Sequence, residues 1–254
     1  MLAPPEEWNG SPKCFRLAQI TRWRAVMRQD RSAPNCGEEM EKRSKVLNGL
    51  RGLMAKIFNP VAALLLRIGV SPDAVTITGT IAVVITALWA FPTGHIAAGS
   101  LLIGLFVFTD SLDGTMARLS GRAGKWGAFL DSTLDRLADA AIFVGLAAYF
   151  LRHGESEWAT LGAIVSMMCL VFGLLVSYSR ARAEGLGMDG NVGIAERPER
   201  LLISLLAACI AGFAHNDAIL VYALGFLAAA SIITFIQRIM HVRKQAVAAV
   251  NESN

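Results

Sequence analysis

Long apolar runs separated by short polar segments fill most of the chain beyond residue 70. A helix needs about 20 predominantly apolar residues to cross a bilayer, within a range of roughly 17–25. The two shortest runs reach that length once their polar flanks are counted, so we predict six membrane-spanning helices. The runs cover residues 74–91, 96–109, 126–151, 158–178, 201–214 and 218–236.

The segment before the first run has a different pattern. Apolar residues recur at helical spacing over 45–70, with Lys45, Arg51 and Lys56 between them, which predicts an amphipathic helix at the membrane surface. Residues 1–44 mix polar residues with Pro and Gly without periodicity, and we interpret them as a disordered or non-native head. The predicted fold is all-α and integral to the membrane, with the six helices over 71–244 and a C-terminal tail over 245–254.

Composition supports a membrane protein. The chain of 254 residues is 54% hydrophobic and only 17% charged, whereas soluble domains average about 25% charged residues. Basic residues concentrate in alternate loops, which places both termini in the cytoplasm by the positive-inside rule. The net charge of +4 sits beside apolar runs, so nucleic-acid binding is a poor explanation.

Four aspartates fall within or beside the second and third apolar runs. Asp110 and Asp113 are spaced i, i+3, and Asp131 and Asp135 are spaced i, i+4, so each pair lies on one helix face. A short basic loop joins the two helices, which predicts antiparallel neighbours with converging carboxylates. Each such acid costs about 2.5–3.5 kcal/mol at the centre of a spanning helix. Two divalent ions, Mg²⁺ or Mn²⁺, would neutralise the cluster and suit phosphoryl transfer.

The main structural alternative is ion pairing of these acids with Arg118, Arg122 or Arg136. Neighbouring arginines would satisfy only part of four carboxylates, so metal binding is the preferred interpretation. Gly114 follows Asp113 directly, and a missing side chain lets a ligand approach the backbone. Close helix packing is the alternative explanation for the glycines in this region.

Together these residues resemble the signature of the CDP-alcohol phosphotransferase family. The resemblance covers about Leu47 to Lys244 and does not include the head. The matching positions are Asp110-x2-Asp113-Gly114-x2-Ala117-Arg118-x8-Gly127-x3-Asp131-x3-Asp135, without a gap.

The resemblance implies a homodimer of six-helix bundles in the bacterial plasma membrane, each with a cavity open to the cytoplasm. It further implies that the four aspartates bind two metal ions and that Asp135 also acts as general base. Contacts to CDP-diacylglycerol are implied for Asp73, Ala74, Val75, Thr76, Gly114, Ala117, Arg118 and Gly124.

Arginines at three cytoplasmic helix ends indicate an acceptor that carries a phosphate, because the guanidinium fork suits a phosphate dianion. The positive-inside rule alone accounts well for Arg182 and Arg200. The region around Arg197 resembles the phosphatidylinositol-phosphate synthase branch of the family. That resemblance implies inositol 1-phosphate as acceptor, with its phosphate held by Arg180, Arg197 and Arg238.

Two other functions remain open from the residues. Glycerol 3-phosphate also carries a phosphate, so a phosphatidylglycerophosphate synthase is the alternative within the enzyme class. Acids inside spanning helices also occur along ion paths, which makes a divalent-cation transporter the alternative outside it. A transporter needs access from both membrane faces, and the four aspartates lie toward one.

Overall fold

The structure, a computed structural model, describes residues 59–119, 124–153, 157–194 and 196–253, without the side chains of 108–113, 117, 249–250 and 252–253. Over these residues the chain is helical and has no strand. The head and residues 45–58 of the predicted surface helix lie outside the described residues. The helices are α1 (59–67), α2 (Pro72–Ala90), α3 (Ile96–Leu119), α4 (Lys125–His153), α5 (Ala159–Gly185), α6 (Arg197–Ala214) and α7 (Asp217–Ser253).

Local sequence sets several of the helix ends. Gly69 follows α1 with φ of +85°, a left-handed conformation that glycine adopts without steric cost. Ser71 then caps α2, because its hydroxyl accepts a hydrogen bond from the amide of Ala74 at 3.2 Å. Pro72 occupies the first helical turn, where its missing N–H is harmless. The described helix thus ends close to residue 70, the boundary predicted for the surface helix, whose place at a membrane surface stays a prediction.

The helices pack around an apolar core. α2 packs against α3 and α4, α4 against α5, α5 against α7, and α6 against α3 and α7. At Gly145 of α4, an added Cβ would lie 2.5 Å from the carbonyl oxygen of Ala87 in α2, so only glycine permits this close approach. The largest buried apolar side chains include Phe91, Ile103, Ile142, Phe143, Leu146, Phe150, Leu220, Leu224 and Leu227.

Polar contacts tie the turns together at one end of the bundle. The ring Nε2 of His153, at the end of α4, lies 2.9 Å from the carbonyl oxygen of Pro92 in the α2–α3 turn. The hydroxyl of Tyr149 donates to Asp217 Oδ1 at the start of α7, at 2.8 Å. The turns with few basic residues thus meet at a common end, as the alternating charge pattern predicted.

Among the residues that the structure describes, three helices are long and apolar enough to cross a membrane: α2, α5 and residues 217–248 of α7. In α3 the apolar stretch is shorter, covering Ile96–Val107. Large apolar side chains such as Ile85, Trp89, Leu151 and Phe226 are more than 60% exposed, an arrangement that suits lipid rather than water. These features are those of a membrane protein. Helix α7 runs on to Ser253, so residues predicted as a tail continue the last helix.

Candidate active site at the N-terminal half of α4

Three aspartates follow one face of α4 at intervals of one turn. Asp131 is exposed, Asp135 is partly buried, and Asp139 is buried with 6% of its surface accessible. Their i, i+4 spacing places the carboxylates above one another along the helix. The row therefore leads from solvent into the interior of the bundle.

Arg197, in the first turn of α6, reaches two of these carboxylates. Its Nη2 lies 2.8 Å from Asp135 Oδ1, and its Nε lies 3.2 Å from Asp139 Oδ1. The side chain of Arg197 is 25% exposed, so it is more accessible than that of Asp135, which is 15% exposed. The contact brings the start of α6 to the face of α4 that carries the predicted catalytic base.

Two further arginines lie beside the same carboxylates. Arg136 Nη1 is 3.8 Å from Asp135 Oδ2 and also donates to the carbonyl oxygen of Ser132 at 2.5 Å. Arg200 is almost fully buried, and its Nη2 lies 3.6 Å from Asp139 Oδ2. Of the arginines predicted to pair with these acids as the alternative to metal binding, Arg136 forms one long ion pair. Arg197, which was not among them, lies closer to Asp135.

The segment predicted to contact the nucleotide forms the first turn of α2. Asp73 Oδ2 accepts a hydrogen bond from the indole Nε1 of Trp126 at 3.2 Å, which joins the start of α2 to the start of α4. Ala74 and Val75 are partly buried in the same turn. Thr76 is buried, and its hydroxyl donates to the carbonyl oxygen of Pro72 at 3.1 Å.

Asp110 and Asp113 lie within α3, and their side chains are outside the described residues, as is that of Ala117. An added Cβ on Gly114 would meet no described heavy atom within 4 Å, and the same holds for Gly127. Close packing among the described residues therefore does not explain either glycine.

Two other predicted nucleotide contacts lie close to this region. Arg118 is exposed in the last turn of α3, and its Nη2 donates to the hydroxyl of Thr115 at 3.1 Å. Gly124 precedes α4, and its carbonyl oxygen accepts from the amide of Ala128 at 3.2 Å.

Helices α3 and α4 pack on each other less closely than we expected for antiparallel neighbours. Over their described residues the two helices do not pack extensively on each other, whereas α2 packs against both. Tight packing of α3 on α4 would exclude water and ligands from carboxylates between them. Within the described part of the chain no three His, Cys, Asp or Glu side chains are close enough to hold a metal ion. Because two of the four predicted ligands lie outside the described side chains, the metal site stays a prediction.

The other two predicted acceptor arginines lie toward α5 and α7. Arg180 pairs with Glu184 within α5, with 2.9 Å between Nε and Oε1. Arg238 of α7 is 2% exposed, and it donates to the carbonyl oxygens of Val192 and Val176. Two guanidinium groups cannot pair with each other, so the grouping of Arg180, Arg197 and Arg238 around an acceptor phosphate stays a prediction.

Comparison with known proteins identifies the class. Residues 69–242 match the family model described as CDP-alcohol phosphatidyltransferase, and the chain belongs to this family of membrane enzymes. A phosphatidylinositol phosphate synthase of Cutibacterium acnes is 48% identical over 206 residues, covering 78% of this chain and 98% of its own. Its counterpart from Streptomyces avermitilis is 45% identical over 206 residues, covering 78% and 83% of the two chains.

Solved structures of a family member are similar to this chain in both fold and sequence. The phosphatidylinositol phosphate synthase of Mycobacterium tuberculosis with CDP-DAG bound has a TM-score of 0.70 and 43% identity, covering 74% of this chain and 94% of its own. The same enzyme in complex with manganese and citrate has a TM-score of 0.68 and 43% identity, with coverage of 72% and 87%. Family membership confirms the predicted enzyme class, and the transporter alternative is set aside.

Asp139 and Arg200 were missed as parts of this site in the sequence analysis. Asp139 continues the i, i+4 series of Asp131 and Asp135 by one more turn, and that spacing was the available signal. Arg200 lies three residues after Arg197 and therefore on the same face of α6. Its charge was attributed to the positive-inside rule, although it is buried rather than at a membrane surface.

Proposed function

We propose that the enzyme transfers the phosphatidyl group of CDP-diacylglycerol to inositol 1-phosphate, giving phosphatidylinositol phosphate and CMP. The observation that carries this proposal is the contact between Arg197 Nη2 and Asp135 Oδ1 at 2.8 Å. It joins a cation suited to a phosphate with the carboxylate suited to activate a hydroxyl. An acceptor that carries both groups fits this pairing, and the most similar relatives described above are phosphatidylinositol phosphate synthases.

In the proposed reaction a hydroxyl of inositol 1-phosphate attacks the β-phosphorus of CDP-diacylglycerol. Asp135 accepts the proton of that hydroxyl as the new P–O bond forms. The bond between the β-phosphorus and the bridging oxygen breaks, and CMP leaves with the electron pair. Arg197 holds the acceptor phosphate and so orients the hydroxyl toward the phosphorus.

The donor set fits divalent metal ions. Asp131 and Asp135 present carboxylates one turn apart on α4, and the sequence places Asp110 and Asp113 one turn apart on α3. All four supply hard oxygen ligands, the type that Mg²⁺ and Mn²⁺ prefer. When bound, two such ions would neutralise negative charge on the diphosphate. The manganese complex of the Mycobacterium tuberculosis enzyme supports this assignment.

The nucleotide would lie between the starts of α2 and α4 and the end of α3. Asp73, Ala74, Val75 and Thr76 form one wall, tied to α4 through Trp126. The space beside Gly114 lets the diphosphate approach the α3 backbone, and the exposed Arg118 lies one turn further on. Ala117 and Gly124 complete the set proposed by resemblance.

We place six helices, α2 to α7, across the bacterial plasma membrane, with α3, α4 and α6 spanning together with their polar ends. The basic residues near the site then face the cytoplasm, where a soluble inositol phosphate would arrive. The amphipathic helix ahead of α2 would lie on that surface, and we expect a homodimer by resemblance to the family.

The test is an acceptor assay on purified enzyme in detergent with CDP-diacylglycerol and Mg²⁺. We expect labelled lipid and stoichiometric CMP from inositol 1-phosphate, and none from free inositol. Product from glycerol 3-phosphate without product from inositol 1-phosphate would reject the proposal in favour of phosphatidylglycerophosphate synthesis. Asp135→Asn, processed in parallel, controls for contaminating synthases.

A further inference from the structure

Asp139 lies at the centre of a charge network that joins three helices. It belongs to α4, whereas its partners Arg197 and Arg200 belong to α6. Its Oδ1 accepts from Arg197 Nε at 3.2 Å, and its Oδ2 lies 3.6 Å from Arg200 Nη2. One carboxylate thus uses a separate oxygen for each arginine.

Arg200 is held against a third helix. Only 1% of its surface is exposed, and an added Cβ on Gly173 of α5 would lie 3.4–3.5 Å from three guanidinium atoms. The guanidinium therefore lies beside Gly173, next to the space that a side chain at that position would occupy. A group enclosed in this way has little freedom to move, so Arg200 fixes the carboxylate of Asp139 in turn.

Arg197 is more exposed and contacts two carboxylates with different parts of its fork. Nε faces the buried Asp139, and Nη2 faces the more accessible Asp135. Because the guanidinium is planar, fixing Nε at one point limits where the two Nη groups lie. The geometry points to Asp139 as a positioning residue that directs the Nη edge of Arg197 toward the acceptor phosphate, an inference that rests on the proposed function.

A purely structural role does not account well for the network. A buried ion pair is often no more stabilising than apolar residues of similar volume, since desolvation offsets the attraction. Three charged groups within a helical membrane bundle are costly to keep unless they act together. The network also touches Asp135 directly, at the proposed base, instead of remaining separate from the site.

The main test is Asp139→Asn, which keeps the size of the side chain and removes its charge. We expect the KM for inositol 1-phosphate to rise about tenfold or more, the range for losing a charged hydrogen bond. The KM for CDP-diacylglycerol should stay within about twofold, since Asp139 acts through Arg197. A parallel rise in both KM values would overturn the inference.

A double-mutant cycle with Arg197→Ala separates positioning from general damage. If Asp139 acts through Arg197, adding Asp139→Asn to Arg197→Ala should raise the acceptor KM no further. Full additivity of the two effects would show that Asp139 acts independently, and the inference would fail. Asp217→Asn is the matched control, because Asp217 is also buried and contacts α4 through Tyr149; it should leave the acceptor KM unchanged.

Folding is addressed with a second variant, Asp139→Leu combined with Arg200→Met. Replacing both side chains with apolar groups of similar volume removes the two charges together, so neither is left buried without its partner. We expect this protein to elute as a monodisperse peak and to show the same raised acceptor KM. A normal KM in this variant, or failure of both variants to fold, would make Asp139 a folding residue and overturn the inference.

Binding of inositol 1-phosphate, titrated calorimetrically without CDP-diacylglycerol, gives a readout independent of turnover. The affinity should fall in Asp139→Asn by the same factor as the KM rises. If the wild-type enzyme uses glycerol 3-phosphate instead, the proposed function fails, and the same titration with glycerol 3-phosphate still tests the role of Asp139.

Discussion

Arg238 Nε donates a hydrogen bond to the carbonyl oxygen of Val192 at 3.1 Å, which ties α7 to the segment between α5 and α6. The Nη1 of the same side chain donates to the carbonyl oxygen of Val176 in α5. Ile194 adds a bond from its amide to the hydroxyl of Thr234 at 3.2 Å. The segment that leads into Arg197 is therefore bonded to α7 at two points, and the guanidinium of Arg238 also bonds α7 to α5.

Arg238→Lys should lower the stability of the protein even though the charge is kept. A lysine cannot donate along two fixed directions to carbonyls on different elements. We expect the free energy of unfolding to fall by about 2 kcal/mol, because bonds from a charged group to buried carbonyls are lost. Thermal unfolding of the detergent-solubilised protein measures the change.

Arg243→Lys is the matched control, because Arg243 lies five residues further along α7 and is exposed. The Arg243→Lys protein should unfold at the same temperature as the wild-type protein. If the Arg238→Lys protein also unfolds at the wild-type temperature while its KM for the acceptor rises, Arg238 binds the acceptor phosphate and does not anchor the segment between α5 and α6.

Gly114→Ala should weaken CDP-diacylglycerol binding without damaging the fold. The added Cβ meets no described heavy atom within 4 Å, and alanine favours a helix over glycine by roughly 0.5–1 kcal/mol. We expect at least a tenfold rise in the KM for CDP-diacylglycerol and an unchanged or raised melting temperature.

The contrasting control is Gly145→Ala, whose Cβ would lie 2.5 Å from the carbonyl oxygen of Ala87. It should lower the melting temperature, because α2 and α4 must move apart. A Gly114→Ala protein with normal KM would show that the space beside this glycine is not used by the lipid nucleotide.

The positions of the helices could be predicted from the sequence, and so could the shared face of Asp131 and Asp135 on α4, because both depend on local signals. Gly69, Ser71 and Pro72 mark helix ends through backbone chemistry, and the aspartate spacing marks one face of α4. The family signature, eight residues at fixed spacings, was confirmed by the match over residues 69–242.

The contacts that buried charged side chains make with residues on other helices could not be predicted from the sequence. Nothing local to Asp139 or Arg200 indicates that α6 meets α4 at this height, since that depends on how the whole bundle packs. Arg238 was predicted by resemblance to hold the acceptor phosphate, a role that stays a prediction. In the structure it is buried against two carbonyl groups, a role that becomes visible only when α5 and α7 are placed side by side.

Asp135→Asn should abolish most turnover and leave CDP-diacylglycerol binding largely intact. Loss of a general base costs roughly 10²–10⁴-fold in rate, and asparagine cannot accept the proton. Single-turnover CMP release measures the rate, and equilibrium binding of labelled CDP-diacylglycerol measures affinity. Asp189→Asn, in the exposed segment after α5, should behave as wild type. An Asp135→Asn enzyme with more than half of wild-type turnover would remove Asp135 from the role of base.

Removal of divalent ions should stop the reaction reversibly. We expect less than about 1% of activity after dialysis against EDTA, since metal ions contribute several kcal/mol to stabilising developing charge. Mg²⁺ or Mn²⁺ should restore it, whereas Zn²⁺ should do so poorly, because the ligands are all oxygen atoms. Retention of full activity in EDTA would contradict a metal-dependent site.

The most direct measurement is anomalous diffraction from crystals of this protein grown with CDP-diacylglycerol and Mn²⁺. We expect two manganese peaks about 3.5–4 Å apart, ligated by Asp110, Asp113, Asp131 and Asp135, with the diphosphate of the substrate beside them. The absence of manganese at these four carboxylates, with the substrate bound, would contradict this expectation.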